Sequence, residues 1–79
     1  MSAILDKKLK DCYTVLNCIK YGEKSWMQMV RETDMTKWKF ESMMKWLIEK
    51  GYITHQEARG VYRITSKGLY LASLLMEYE

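Results

Sequence analysis

Two apolar stripes of helical period, one opening at Trp26 and the other at Phe40, are separated by Thr33-Asp34-Met35-Thr36, a stretch that helices rarely run through. Thr33-Asp34 supplies turn chemistry, and Asp34 tolerates a left-handed backbone better than most residues other than glycine. Thr36 then offers a fresh N-cap. The pattern commits the chain to a short helix, a tight turn and a longer helix. Ser25, with Gln28 three residues on, has the form of a capping box, in which hydroxyl and amide satisfy each other's backbone donors. The short helix therefore starts at Ser25 and stops near Glu32. The longer one spans 37–50, with Phe40, Met44, Leu47 and Ile48 as its inward stripe and Gly51 closing it.

Upstream, Leu5, Leu9, Cys12, Leu16 and Ile19 recur at spacings of four and three, with Val15 and Cys18 widening the stripe. This predicts a helix over 4–20. Tyr21-Gly22-Glu23 interrupts it, with Gly22 suited to the left-handed conformation that follows a helix end. Beyond Gly51, residues 52–57 and 61–65 are rich in β-branched and aromatic types, and the intervening Ala58-Arg59-Gly60 contains the glycine a tight hairpin wants. Thr65 caps a last helix over 66–78, in which Leu69, Leu71, Ala72, Leu74, Leu75, Met76 and Tyr78 leave scarcely any polar face.

The 79 residues suffice for one small domain, 1–79, and leave no room for a Rossmann enzyme or a barrel. With 48% hydrophobic and 29% charged residues and no proline, the chain reads as a folded unit rather than a disordered tail. Its longest uncharged stretches, Cys12 to Ile19 and Gly68 to Met76, fall far short of the roughly 20 residues that span a bilayer. The start lacks the apolar region of a secretory signal, so the expected address is the cytoplasm. Cys12 and Cys18 stand about 9 Å apart along one helix, too far for a mutual disulfide. Small buried hydrophobes, or a bond between subunits, are the readings open to them.

A single histidine, no HExxH and no P-loop argue against an enzyme, and imagining His55 as a base for Cys12 or Cys18 has little to support it. Two cysteines and a distant histidine also lack the spacing of a zinc site. No cofactor or metal is expected.

The order of helix, short helix, tight turn, longer helix, hairpin and helix resembles the winged helix-turn-helix DNA-binding domain over nearly the whole chain. Ser25 to Gly51 resembles the helix-turn-helix register, with Asp34 where the family usually has glycine, Met35 as the buried aliphatic residue, and Thr36 as the cap of the recognition helix. Glu49-Lys50-Gly51-Tyr52-Ile53 resembles the passage from that helix into the wing. Tyr62-Arg63-Ile64-Thr65-Ser66-Lys67-Gly68 resembles the second wing strand running into a capped helix. The resemblance implies an α+β, mainly α, fold: a three-helix core with the helix-turn-helix at about 25–50, a two-stranded wing at about 52–65 and a C-terminal helix at about 66–78. Small winged-helix regulators of archaea and their viruses look most similar, and in that group the last helix commonly makes a dimer.

The resemblance further implies a double-stranded DNA partner, with the recognition helix 37–50 in the major groove. A net charge of +3 is too mild to announce nucleic-acid binding, so placement must decide. With Phe40, Met44 and Leu47 inward, Lys37, Trp38, Glu41 and Ser42 face outward, with Lys39 beside them and Lys45 one turn on. Lysines suit phosphate or guanine contacts, while Ser42 and Glu41 suit base edges, the glutamate by accepting from a cytosine amine. Ser25 and Thr36, at the starts of the two helices, complete that side. Trp38 is neither needed for the core nor favourable in water. Stacking on sugar, packing on a thymine methyl, and packing back on the turn or Trp26 are all open to it. Trp46 reads as a cover for the hairpin or a subunit contact. On the wing, His55, Gln56, Arg59 and Arg63 suit a minor groove or flanking phosphates, Arg59 above all. Glu23, Glu32 and Glu49 need to face away from DNA.

The greasy last helix predicts a homodimer through Leu71, Leu75 and Tyr78, with Cys12, Tyr13 and Cys18 of the first helix sharing the interface. Two-fold symmetry then predicts a pseudo-palindromic site with half-sites roughly 34 Å apart. The function expected is that of a sequence-specific transcription regulator. The alternative is a winged-helix adaptor that binds protein and not DNA.

Overall fold

In the computed structural model, which describes residues 3–76, the chain forms α1 (Ala3–Ile19), α2 (Trp26–Thr33), α3 (Lys37–Glu49), β1 (Ile53–Gln56), β2 (Val61–Ile64) and α4 (Ser66–Leu75), with a 3-10 turn at Glu57–Arg59. Local hydrogen bonding sets most boundaries. The Ser25 hydroxyl accepts from the Gln28 amide at 3.3 Å while Gln28 Oε1 accepts from the Ser25 amide at 3.0 Å, which completes the capping box. Asp34 adopts φ 53° and ψ 30°, so the turn takes its left-handed residue without glycine. Thr36 then caps α3 by accepting from the Lys39 amide at 3.4 Å.

The core is built on α1, where Cys12, Val15, Leu16 and Ile19 are buried against Met29 of α2 and the inward face of α3. That face is Phe40, Met43, Met44 and Leu47; Met43 takes the place expected of Ile48, which stays at the surface. Residues 40, 43, 44 and 47 fall on one side at 3.6 per turn, and position 48 has rotated off it. Trp26 covers the edge of this core, its ring 4.8 Å from that of Phe40 in an edge-on contact and 5.8 Å from that of Tyr62.

β1 and β2 pair antiparallel, with Ile53 opposite Ile64 and His55 opposite Tyr62. Lys24 adds a further bridge: its amide donates to the Tyr62 carbonyl at 3.2 Å and its carbonyl accepts from the Tyr62 amide at 2.8 Å. The link between α1 and α2 is thereby stitched to the hairpin. Gly60 closes the hairpin at φ 65°.

α4 is anchored through Thr65, whose hydroxyl donates to the carbonyls of Gly51 (2.7 Å) and Tyr52 (3.1 Å) and accepts from the Gly68 amide at 3.1 Å. Gly68 packs so closely on the Tyr52 carbonyl that a Cβ there would stand 2.2 Å from the oxygen. This approach fixes the rotation of the helix. Gly68, Ala72 and Leu75 form the buried side, which corrects the expectation that Leu75 faces a second subunit: it is only 5% exposed, within the core. Leu71 is half-buried and packs on the core edge, whereas Leu69, Tyr70, Leu74 and Met76 are the apolar residues left outside. Tyr78 lies outside the described residues.

Candidate nucleic-acid interface

α3 presents Lys37, Trp38, Lys39, Glu41, Ser42 and Lys45, all exposed, opposite the buried stripe that holds it to α1. The amphipathic pattern therefore leaves one long side of α3 unoccupied, with three ammonium groups and one carboxylate on it. Trp38 is 78% exposed, so little of it packs on the protein, and the Trp26 ring is engaged by Phe40 and Tyr62. Next to this side an open groove of about 480 Å³ runs between α1 and α3, lined by Lys8, Asp11, Trp38, Lys39, Ser42, Met43 and Trp46. Trp46 is half-buried, with its ring 5.6 Å from that of Tyr52 and the Lys8 ammonium 5.3 Å from its centroid. It covers the start of the hairpin, one of the two readings open to it.

The remaining candidates lie at the starts of α2 and α3 and on the hairpin. Ser25 and Thr36 keep their hydroxyl oxygens engaged as caps, so each hydroxyl proton remains free to be donated outward. Gln56 is half-buried at the end of β1, while Arg59 and Arg63 are exposed. His55 is exposed on its outer side and stacked on Tyr62, with centroids 4.4 Å apart and planes 11° apart.

Arg59 is not free in this state: its Nη1 lies 3.0 Å from one carboxylate oxygen of Glu23 and 3.1 Å from the other. Glu32 pairs with Lys24, and this hydrogen bond holds the Lys24 ammonium above the usual lysine range. Two of the three acids expected to turn away are thus held in ion pairs. Residue order alone did not reveal the Glu23 partnership, nor the approach of Lys8 and Asp11 to α3. The nearest signal was that Glu23 adjoins the bridge-forming Lys24.

The cysteines are free. Cys12 is buried, which removes it from any subunit contact, and burial pushes its thiol up to about 11 against the opposing pull of Lys8. Cys18 is half-buried; burial raises its thiol as well, with Lys24 opposing and Glu32 adding. Among the described residues no cluster of three histidine, cysteine or acidic side chains is placed to hold a metal ion, and no helix is long and apolar enough to cross a membrane.

A family model described as winged helix-turn-helix matches residues 7–79. The chain belongs to the winged helix-turn-helix family. In the family's terms α2 and α3 are the helix-turn-helix, α3 is the recognition helix and the β1–β2 hairpin is the wing. Family membership points to DNA as the partner of this winged helix, and the fold is typically non-enzymatic. No curated protein and no solved structure matches the chain.

Proposed function

We propose that this winged helix is a sequence-specific double-stranded DNA-binding protein that regulates transcription in the cytoplasm. Its recognition helix enters the major groove, and its wing touches the flanking groove or backbone. The observation that carries the reading is the bare outer side of α3, where Lys37, Lys39 and Lys45 surround Trp38 and Ser42 while every large side chain of the opposite face is buried. The lysines, Ser25 and Thr36 serve as phosphate contacts that set the register, and Ser42, Glu41 and Trp38 face base edges. Gln56, Arg59 and Arg63 serve the wing.

The protein acts as a homodimer through α4, whose exposed Leu69, Tyr70 and Leu74, with Met76 at its C-cap, leave an apolar strip that a second copy covers. Two recognition helices then meet successive major-groove faces, and the site is pseudo-palindromic. The same strip is what favours the adaptor reading, in which it takes a different protein and α3 binds nothing.

Selection from a random duplex pool, followed by titration at two salt concentrations, tests the reading. Groove binding lowers log K by about 0.9 per neutralised phosphate for each decade of salt. Enriched sequences with two-fold symmetry and a steep salt slope support DNA recognition by a dimer. Absence of salt-sensitive binding to any duplex leaves the adaptor.

A further inference from the structure

Trp38 is the second residue of α3 and leaves 78% of its surface in water, among Lys37, Lys39, Glu41, Ser42 and Lys45. Among the described residues no ring stacks on it: Trp26 is taken by Phe40 and Tyr62, Trp46 by Tyr52, and His55 by Tyr62. It is thus the most exposed large apolar group of α3, set among charged and polar side chains and held on a capped first turn whose start is set by Thr36. An indole has only two side-chain torsions, so it is ordered at low entropic cost when it meets a partner.

The major groove presents donors and acceptors from every base pair and a single kind of apolar group, the C5-methyl of thymine. We propose that Trp38 packs on a thymine methyl and makes thymine at that position part of the recognition sequence. The proposal rests on the DNA-binding reading above and names what its most conspicuous side chain reads. Stacking of the indole on deoxyribose is the competing contact, and it is indifferent to the base. The two differ in one observable, the methyl group itself.

Replacing thymine by deoxyuridine removes that methyl and leaves every hydrogen-bonding atom in place. Duplexes selected from a random pool are remade with uracil at each thymine in turn and titrated against the wild-type chain, Trp38→Ala and Trp38→Phe. The wild type loses about fourfold in affinity at one thymine of each half-site, the worth of one buried methyl. Trp38→Ala shows no loss at that position, and Trp38→Phe keeps part of it. Because the indole is mostly in water, Trp38→Ala keeps its fold, as thermal melting verifies. Salt-sensitive binding with no uracil-sensitive thymine, or an equal loss in Trp38→Ala, overturns the assignment and leaves DNA binding standing. No salt-sensitive binding to any duplex overturns both.

Discussion

Glu23, in the link between α1 and α2, and Arg59, in the turn of the wing, form an ion pair at 3.0 Å across 36 residues of sequence. One guanidinium nitrogen meets both carboxylate oxygens, so the wing tip carries a charge that is neutralised before any DNA arrives. The pair is solvent-exposed on the arginine side and contributes little to stability. Its effect falls on binding, because a carboxylate beside the wing repels the phosphates that Arg59 is proposed to meet.

Glu23→Gln should therefore raise DNA affinity by up to about fivefold at low salt, with a nearly unchanged melting temperature. Arg59→Ala should weaken binding to all sequences alike and reduce the salt slope by about 0.9 if the contact is to phosphate. Titration of both variants and of the double variant at two salt concentrations reads these effects. An unchanged affinity for Glu23→Gln would show that the pair is kept intact on DNA.

Substitutions on the outer side of α4 should change association, and those on the inner side stability. Tyr70→Glu or Leu74→Glu places a carboxylate on the exposed strip, leaving the fold intact and producing a monomer by sedimentation. Leu75→Ala removes a buried side chain and should cost about 2–5 kcal/mol in urea unfolding. A monomeric wild type at high micromolar concentration refutes the dimer.

Gly68→Ala should destabilise the protein by about 1–3 kcal/mol despite alanine's better helix propensity. The added methyl meets the Tyr52 carbonyl oxygen at 2.2 Å and Ile64 Cγ1 at 2.7 Å, and the backbone oxygen cannot step aside as a flexible side chain would. Denaturant midpoints of the two proteins give the difference directly.

Cys12 makes stability depend on alkaline pH. Burial raises its thiol from 9.0 to about 11, so the folded chain holds that proton more tightly than the unfolded chain. The contribution is complete below pH 9 and declines as pH rises towards 11, at no more than about 1.4 kcal/mol per unit. Unfolding of the wild type and Cys12→Ala across that window should show the steeper decline in the wild type. Alkylation of the native protein should mark Cys18 before Cys12.

Features legible in the sequence were those with local causes. Ser25 with Gln28, Thr36, and Thr65 with Gly68 are caps whose partners lie three residues away, and Asp34 carries its left-handed turn alone. The outward set on α3 followed from the Phe40, Met44 and Leu47 spacing, although the choice between Met43 and Ile48 did not, since both flank the stripe. Rotation of α4 was illegible because a helix with almost no polar face has no preferred inward side. Its setting comes from Gly68 against Tyr52, a contact between distant segments. The Glu23–Arg59 pair was hidden for the same reason, and so was the engagement of the Trp26 ring by Phe40 and Tyr62.

Thr65 fastens the end of α3 to the start of α4, and the Lys67 ammonium reinforces it by donating to the Lys50 carbonyl at 2.8 Å. These bonds tie the start of α4 directly to residues 50–52, where α3 ends. In a dimer joined through α4, the angle at which the two copies cross then bears on the distance between the recognition helices. A substitution on the outer side of α4 would retune which half-site spacing is accepted without touching a single group that faces DNA.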